Sequence, residues 1–194
     1  MGVSSAAAQE TAREADSPYA WLRLAAVLGL MTVGSSAMYV VAVVLPAVQA
    51  EFGVARSDAS LPYTLLMIGF GLGSVLMGRL ADRFGVMVPV LLGAGGLTLG
   101  FAGAAASPSI AWFAIAHGLG LGLLGSSATF APLVADTSLW FVRRRGIAVA
   151  ICASGNYLAG AVWPPIVQHL VDTQGWRTAY LVLAVVSAVT VPLL

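Results

Sequence analysis

The chain has 194 residues, of which 59% are hydrophobic and only 9% charged, against roughly 25% charged in soluble domains. So few charges cannot furnish a water-exposed surface of ordinary size, and a net charge of +1 excludes the basic face that general nucleic-acid binding needs. All nine basic residues are arginine, and the single cysteine, Cys152, lies in an apolar run with no second cysteine to pair with, so it reads as a small core residue.

Residues 1–18 are small and polar, with Glu10, Arg13, Glu14 and Asp16. The apolar stretch that follows is too long for the core of a signal peptide. The first 18 residues are expected to form a disordered cytoplasmic tail, and residues 19–194 a transmembrane domain.

A helix needs about 20 mainly apolar residues to cross the hydrocarbon core. Charges cut the chain into runs of that length or its double. The first predicted span lies near 22–48 and ends at Glu51, Arg56 and Asp58. The second, near 59–80, is closed by Arg79, Asp82 and Arg83. Residues 84–135 carry no Asp, Glu, Lys or Arg and are too long for one crossing, so they must fold back. Ser107-Pro108-Ser109 is the place, because proline disfavours helix before it and suits a helix start after it. This gives a third span near 86–106 and a fourth near 110–135, ended by Asp136 and Arg143–Arg145. The fifth lies near 146–170, Asp172, Gly175 and Arg177 form a turn, and the sixth lies near 178–194. The sixth is read as cut off in mid-span, so the chain is expected to be truncated before a second half. The predicted fold class is all-α: a polytopic membrane bundle of six transmembrane helices.

The 22 glycines concentrate in the spans, notably Gly69, Gly71, Gly73 and Gly78 in the second and Gly118, Gly120, Gly122 and Gly125 in the fourth. Small residues let helices approach closely in lipid. They suit close packing, or helices that rock against one another. With the N-terminus inside, the inner segments hold seven arginines and the outer segments only Arg56 and Arg177. Arginine-rich short loops stay in the cytoplasm, so the N-terminus is expected to be cytoplasmic and the membrane a bacterial inner membrane.

The turn after the second span reads Gly78-Arg79-Leu80-Ala81-Asp82-Arg83-Phe84-Gly85. It resembles the signature G-x-L-x-D-R-x-G-R-R/K of the major facilitator superfamily, matching at Gly78, Leu80, Asp82, Arg83 and Gly85 but not at Val86 and Met87. Gly78 is suited to admit another helix end and Gly85 to a tight reversal. In that family the aspartate belongs to a cytoplasmic lock, which makes Arg143, Arg144 and Arg145 its candidate partners here. The run Trp140-Phe141-Val142-Arg143-Arg144-Arg145, followed by Ala153-Ser154-Gly155-Asn156, is similar to monocarboxylate transporters and oxalate/formate antiporters. The resemblance covers residues 22–194 and implies an N-terminal six-helix half built as an inverted 3+3 repeat. Leu45-Pro46 and Pro132-Leu133, each followed by arginine and then glycines, faintly echo that repeat. One departure is that no arginine stands in the fourth span, where Ala114 and His117 lie instead. Proton-coupling schemes built on that arginine therefore do not transfer.

The implied function is secondary active transport of a small solute, an organic anion such as a monocarboxylate, by alternating access. The alternative is a non-transporting membrane subunit, scaffold or inactive fragment. Polar groups at mid-membrane depth are costly unless used or paired. The substrate-pathway candidates are Ser36, Tyr39, Ser127, Asn156, Tyr157 and His117. Among them Asn156 stands out, because its amide is not easily satisfied by its own helix as a serine hydroxyl is. His117 is titratable and could relay protons or meet an anion, or could simply bond a neighbouring helix. No metal cluster, nucleotide loop or catalytic triad is seen, so no enzyme activity, metal or cofactor is expected. The expected partners are the lipid bilayer, a small-molecule solute, and a second six-helix half or like partner that closes the cavity.

Overall fold

The computed structural model describes residues 16–193. The first helix, α1 (Pro18–Phe52), starts where Ser17 accepts the Ala20 N–H at 3.2 Å and Pro18 supplies a preset φ. It is interrupted at mid-length: residues Pro18–Gly34 and Ser36–Phe52 are helical, and Ser35 between them has φ −87° and ψ −2°. There the Thr32 carbonyl accepts the Trp163 indole N–H at 2.7 Å. Helix α2 (Arg56–Phe84) ends at Gly85, whose φ of 81° is open to glycine at little cost and turns the chain directly into α3 (Met87–Ala105).

Helix α4 (Ile110–Trp140) begins with Ser109 accepting the Trp112 N–H at 3.3 Å. Its middle, Ala116–Ser126, is wound as a π-helix, a form that is rare at such length. The helix breaks at Thr129 and Phe130, because Pro132 has no N–H to continue the ladder. Helix α5 (Arg145–Gln174) and helix α6 (Trp176–Leu193) follow, joined at Gly175. Among the described residues five helices are long and apolar enough to cross a membrane, and α6 adds a shorter apolar one. The protein is therefore a helical membrane bundle.

The main packing pairs are α2 with α4, α3 with α4, α3 with α6, and α1 with α5. Residues from α1, α3, α4, α5 and α6 share one buried core that includes Met31, Leu97, Phe101, Phe113, Cys152 and Tyr180. The α2–α4 seam is built on Gly69, Gly73, Gly118 and Gly122, where an added Cβ would strike the facing backbone or side chains. Gly78 does not belong to this seam: nothing lies within 4 Å of the place its Cβ would occupy, so the expected helix end is not there. At 3.6 residues per turn it sits about 140° around α2 from Gly73 and faces away from α4. Ile68, Leu72 and Val75 of α2, Leu99 of α3 and Tyr157 of α5 are exposed. Such apolar surface faces lipid or a partner.

Each end of α1 is pinned. At one end Arg23 pairs with Asp136 of α4 at 2.9 Å and lies 4.7 Å over the Trp140 ring. At the other, Arg177 of α6 pairs with Glu51 at 2.7 Å and also donates to the carbonyls of Ala105, the last residue of α3, and Ser107 just after it.

Candidate functional site

A cavity of about 700 Å³ opens between α1, α2 and α5. Met38, Tyr39, Ser60, Tyr63, Met67 and Pro164 are among its lining residues. The Tyr39 hydroxyl donates to Asn156 Oδ1 at 2.8 Å, joining α1 to α5. Gly160 makes this reach possible, since a Cβ there would stand 2.7 Å from the Tyr39 ring. The Asn156 amide nitrogen faces only the Met38 sulfur at 3.9 Å, and a thioether is a weak acceptor. One strong donor, the Asn156 N–H₂, is thus left poorly used behind the cavity-lining Tyr39 and Met38, and none of the described lining residues is charged. This arrangement can hold a hydrogen-bond acceptor.

The other pathway candidates are placed elsewhere. Tyr157 is 78% exposed on the outer face of α5. Ser127 Oγ donates to the Leu123 carbonyl of its own helix and abuts Gly73 of α2. Ser36 is buried, and its hydroxyl has no hydrogen-bond partner. His117 is fully buried between α4 and α6. Its Nδ1 lies 2.8 Å from the Phe113 carbonyl and its Nε2 lies 2.9 Å from the Tyr180 hydroxyl. A carbonyl only accepts, so Nδ1 carries the proton and Nε2 accepts from Tyr180. Phe101, Phe113 and Trp176 pack around Tyr180 with centroids 5.5, 5.6 and 6.0 Å away. His117 therefore sits in an aromatic core away from the Tyr39–Asn156 pair.

Sequence reasoning missed Ser60 and Tyr63. Both stand at the start of the predicted second span, near 59–80, and were not singled out among its polar residues. Tyr63, half-exposed at the start of a span, was the available signal.

At the Arg23 end of the bundle, the motif residues are arranged differently from the expected lock. Among the described residues Asp82 makes no hydrogen bond or ion pair, so a contact with Arg143, Arg144 or Arg145 is not formed here. Leu80 and Arg83 lie at the end of α2, with Arg83 stacked 5.1 Å from Phe84. The arginine loop is held instead by Asp16, whose carboxylate accepts the N–H groups of Val142, Arg143 and Arg144 at 3.4, 2.9 and 3.3 Å. Asp16 reaches this position with a left-handed φ of 61°. The Arg143 N–H, helped by those of Val142 and Arg144, holds its carboxyl below the usual carboxylate range. Arg145 donates to Ser138 at 3.1 Å. Residues 1–15 of the expected tail lie outside the described residues, but Asp16 and Ser17 are ordered against α4 and the start of α1.

The sequence model of the Major Facilitator Superfamily matches residues 25–194. Monocarboxylate transporter 6 of Mus musculus is 28% identical over 169 residues, which is 87% of this chain and 36% of the relative. The probable sulfoacetate transporter SauU of Cupriavidus necator is 29% identical over 171 residues, 83% of this chain and 38% of its own length. Monocarboxylate transporter 11 of Mus musculus is 29% identical over 175 residues, 89% of this chain and 38% of its own length. The chain thus spans little more than a third of each of these relatives.

Proposed function

Because the chain belongs to the major facilitator superfamily, we propose that it supplies one six-helix half of a secondary transporter that moves a small organic anion by alternating access. The observation that carries this reading is the Tyr39–Asn156 pair at the open cavity between α1, α2 and α5. A carboxylate or sulfonate accepts hydrogen bonds from neutral O–H and N–H donors, and Asn156 keeps such a donor available. Relatives named for monocarboxylates and sulfoacetate carry the same class of headgroup. The cavity between α1, α2 and α5 is open, and a second six-helix half, or a like partner, is what would close it over the solute.

The orientation follows from charge. Among the described residues Arg23, Arg79, Arg83 and Arg143–Arg145 share one end, and only Arg56 and Arg177 the other. We place the first end, with the motif residues Gly78–Gly85, in the cytoplasm of a bacterial inner membrane. There Asp82 is free to engage Arg143–Arg145 in the access state opposite to the one described, with Asp16 holding the loop meanwhile.

Uptake of labelled monocarboxylates, dicarboxylates and sulfonates into vesicles bearing the chain together with a second six-helix half tests the reading. Saturable uptake of at least one, weakened by Asn156→Leu, is expected. Absence of uptake for all of them would overturn it.

A further inference from the structure

We infer that the cavity between α1, α2 and α5 selects an organic monoanion with a bulky apolar body, an arylacetate above all, and rejects small or doubly charged anions. The inference rests on the organic-anion reading above and names its substrate class. Its ground is how few polar groups the cavity presents. None of the described lining residues is charged, and Tyr39, Ser60 and Tyr63 supply the only side-chain hydroxyls among them. Tyr39 spends its proton on Asn156, and Ser60 spends its own on the Ser57 carbonyl at 2.6 Å. The half-exposed Tyr63 hydroxyl makes no hydrogen bond among the described residues, so its proton is kept for a ligand.

These groups are ordered along one face of α2. Ser60, Tyr63 and Met67 are spaced i, i+3 and i+7, and all three line the cavity. Ser60 and Tyr63 stand near the start of the helix, and Met67 lies one turn further along, about 6 Å beyond Tyr63. On α1, Met38 and Leu45 are seven residues apart and line the same space. A headgroup at Tyr63 therefore has apolar walls beside it, formed by the thioethers of Met38 and Met67 and by Val43 and Leu45. Methionine sulfur is polarizable and packs well against aromatic rings. The rings of Tyr39 and Tyr63 give an aromatic body edges and faces to meet.

A single presented donor suits a single head. A second carboxylate or sulfonate on the same solute would lie against methionine, valine and leucine, stripped of water and facing no donor, which is costly. A very small solute gains nothing from those walls, whereas each CH₂ fully buried there strengthens binding about fourfold. Malonate and sulfoacetate carry two anionic groups on one carbon and fail on both counts. Phenylacetate has one head and one ring and satisfies both.

The purified full chain in nanodiscs is titrated with ¹⁴C-phenylacetate by equilibrium dialysis, with empty nanodiscs subtracted. Unlabelled 4-methylpentanoate, acetate, malonate and sulfoacetate serve as competitors. Saturable binding is expected, with 4-methylpentanoate competing well and the other three at least about tenfold more weakly. Tyr63→Phe should weaken phenylacetate binding about tenfold, as loss of a hydrogen bond to a charged head does. Met67→Ser should narrow the preference for phenylacetate over acetate, and Leu45→Ser serves where the first variant lowers Tm. No saturable phenylacetate binding, or equal competition by acetate or sulfoacetate, would overturn the selection. Binding untouched by both Tyr63→Phe and the folded wall variant would remove it from this cavity. Uptake of malonate or sulfoacetate but not of phenylacetate, in vesicles that also hold a second six-helix half, would keep the transport reading and sink this one. Saturable phenylacetate binding with no uptake of any anion would do the reverse.

Discussion

The hydroxyl of Tyr39 donates a 2.8 Å hydrogen bond to Oδ1 of Asn156, 117 residues later in the chain. It orients the amide behind the cavity-lining Tyr39 and Met38, because the oxygen is engaged and the nitrogen has only sulfur beside it.

Tyr39→Phe removes that anchor. The amide is then free to turn and satisfy itself elsewhere. We expect KM for the transported anion to rise about tenfold, equivalent to about 1.4 kcal/mol, with little change in Tm. A KM unchanged in Tyr39→Phe and raised in Asn156→Leu would place the donor role on Asn156 without its partner.

Tyr180→Phe tests the aromatic core. It strands the His117 Nε2 lone pair in a fully buried place, at a cost of about 1–3 kcal/mol. We expect a lower Tm and an unchanged KM, since neither residue lines the cavity. A selective loss of uptake with stability intact would instead put His117 on the solute's path.

Gly34 is the close-approach point of α1 and α4. A Cβ there would overlap the Thr129 side chain. Gly34→Ala should cost about 1–3 kcal/mol, as overpacked cores do. Thr129→Gly in the same chain should restore most of it, and unfolding of the two single variants and the pair measures the coupling.

Asp16 gives the N-terminal contact a pH dependence. Its folded carboxyl is depressed by the N–H groups of Arg143, Val142 and Arg144. A depressed carboxyl stabilises above its unfolded value, near 3.8, and the contribution is lost as pH falls through the folded value. The Arg143–Arg145 loop should therefore loosen only in acid below about pH 4. A thiol probe at Val142→Cys should report faster labelling there. Asp16→Ala should show the fast rate at neutral pH as well, and equal rates in both chains would remove Asp16 from the loop.

Arg177→Met should release three attachments together: the Glu51 carboxylate and the carbonyls of Ala105 and Ser107. The pair is more than a third exposed, so its ionic part is worth little. The two carbonyls carry most of the expected loss of about 1–2 kcal/mol. Glu51→Gln should cost less, and an equal loss would put the weight on the ion pair.

The helical membrane bundle was legible because charges punctuate runs of the right length. The turn at Ser107–Ser109 and the reversal at Gly85 were legible for the same kind of reason: proline and glycine have few alternatives there. The interruption at Ser35 was not, since Gly-Ser-Ser is tolerated in a continuous helix and the break depends on Trp163, far along the chain, taking the Thr32 carbonyl. Glycine content revealed close packing without saying which face each residue occupies, so Gly78 was grouped with Gly69 and Gly73. Tyr39 and Asn156 were each visible as costly polar groups, but their bond belongs to the packing of α1 on α5. Asp16 read as part of a solvated tail because its three partners are backbone groups, which carry no residue signature.

The two anchors of α1 have a mechanical meaning. Arg23 is tied to α4 and Glu51 to α6, so the helix is a beam clamped at both ends, with its interruption at Ser35 and the interior Pro46 between the clamps. On the transporter reading, a solute bound near Tyr39 would load the middle of this beam rather than a loose end, and the close approach of Gly34 to Thr129 would pass that load to the break in α4.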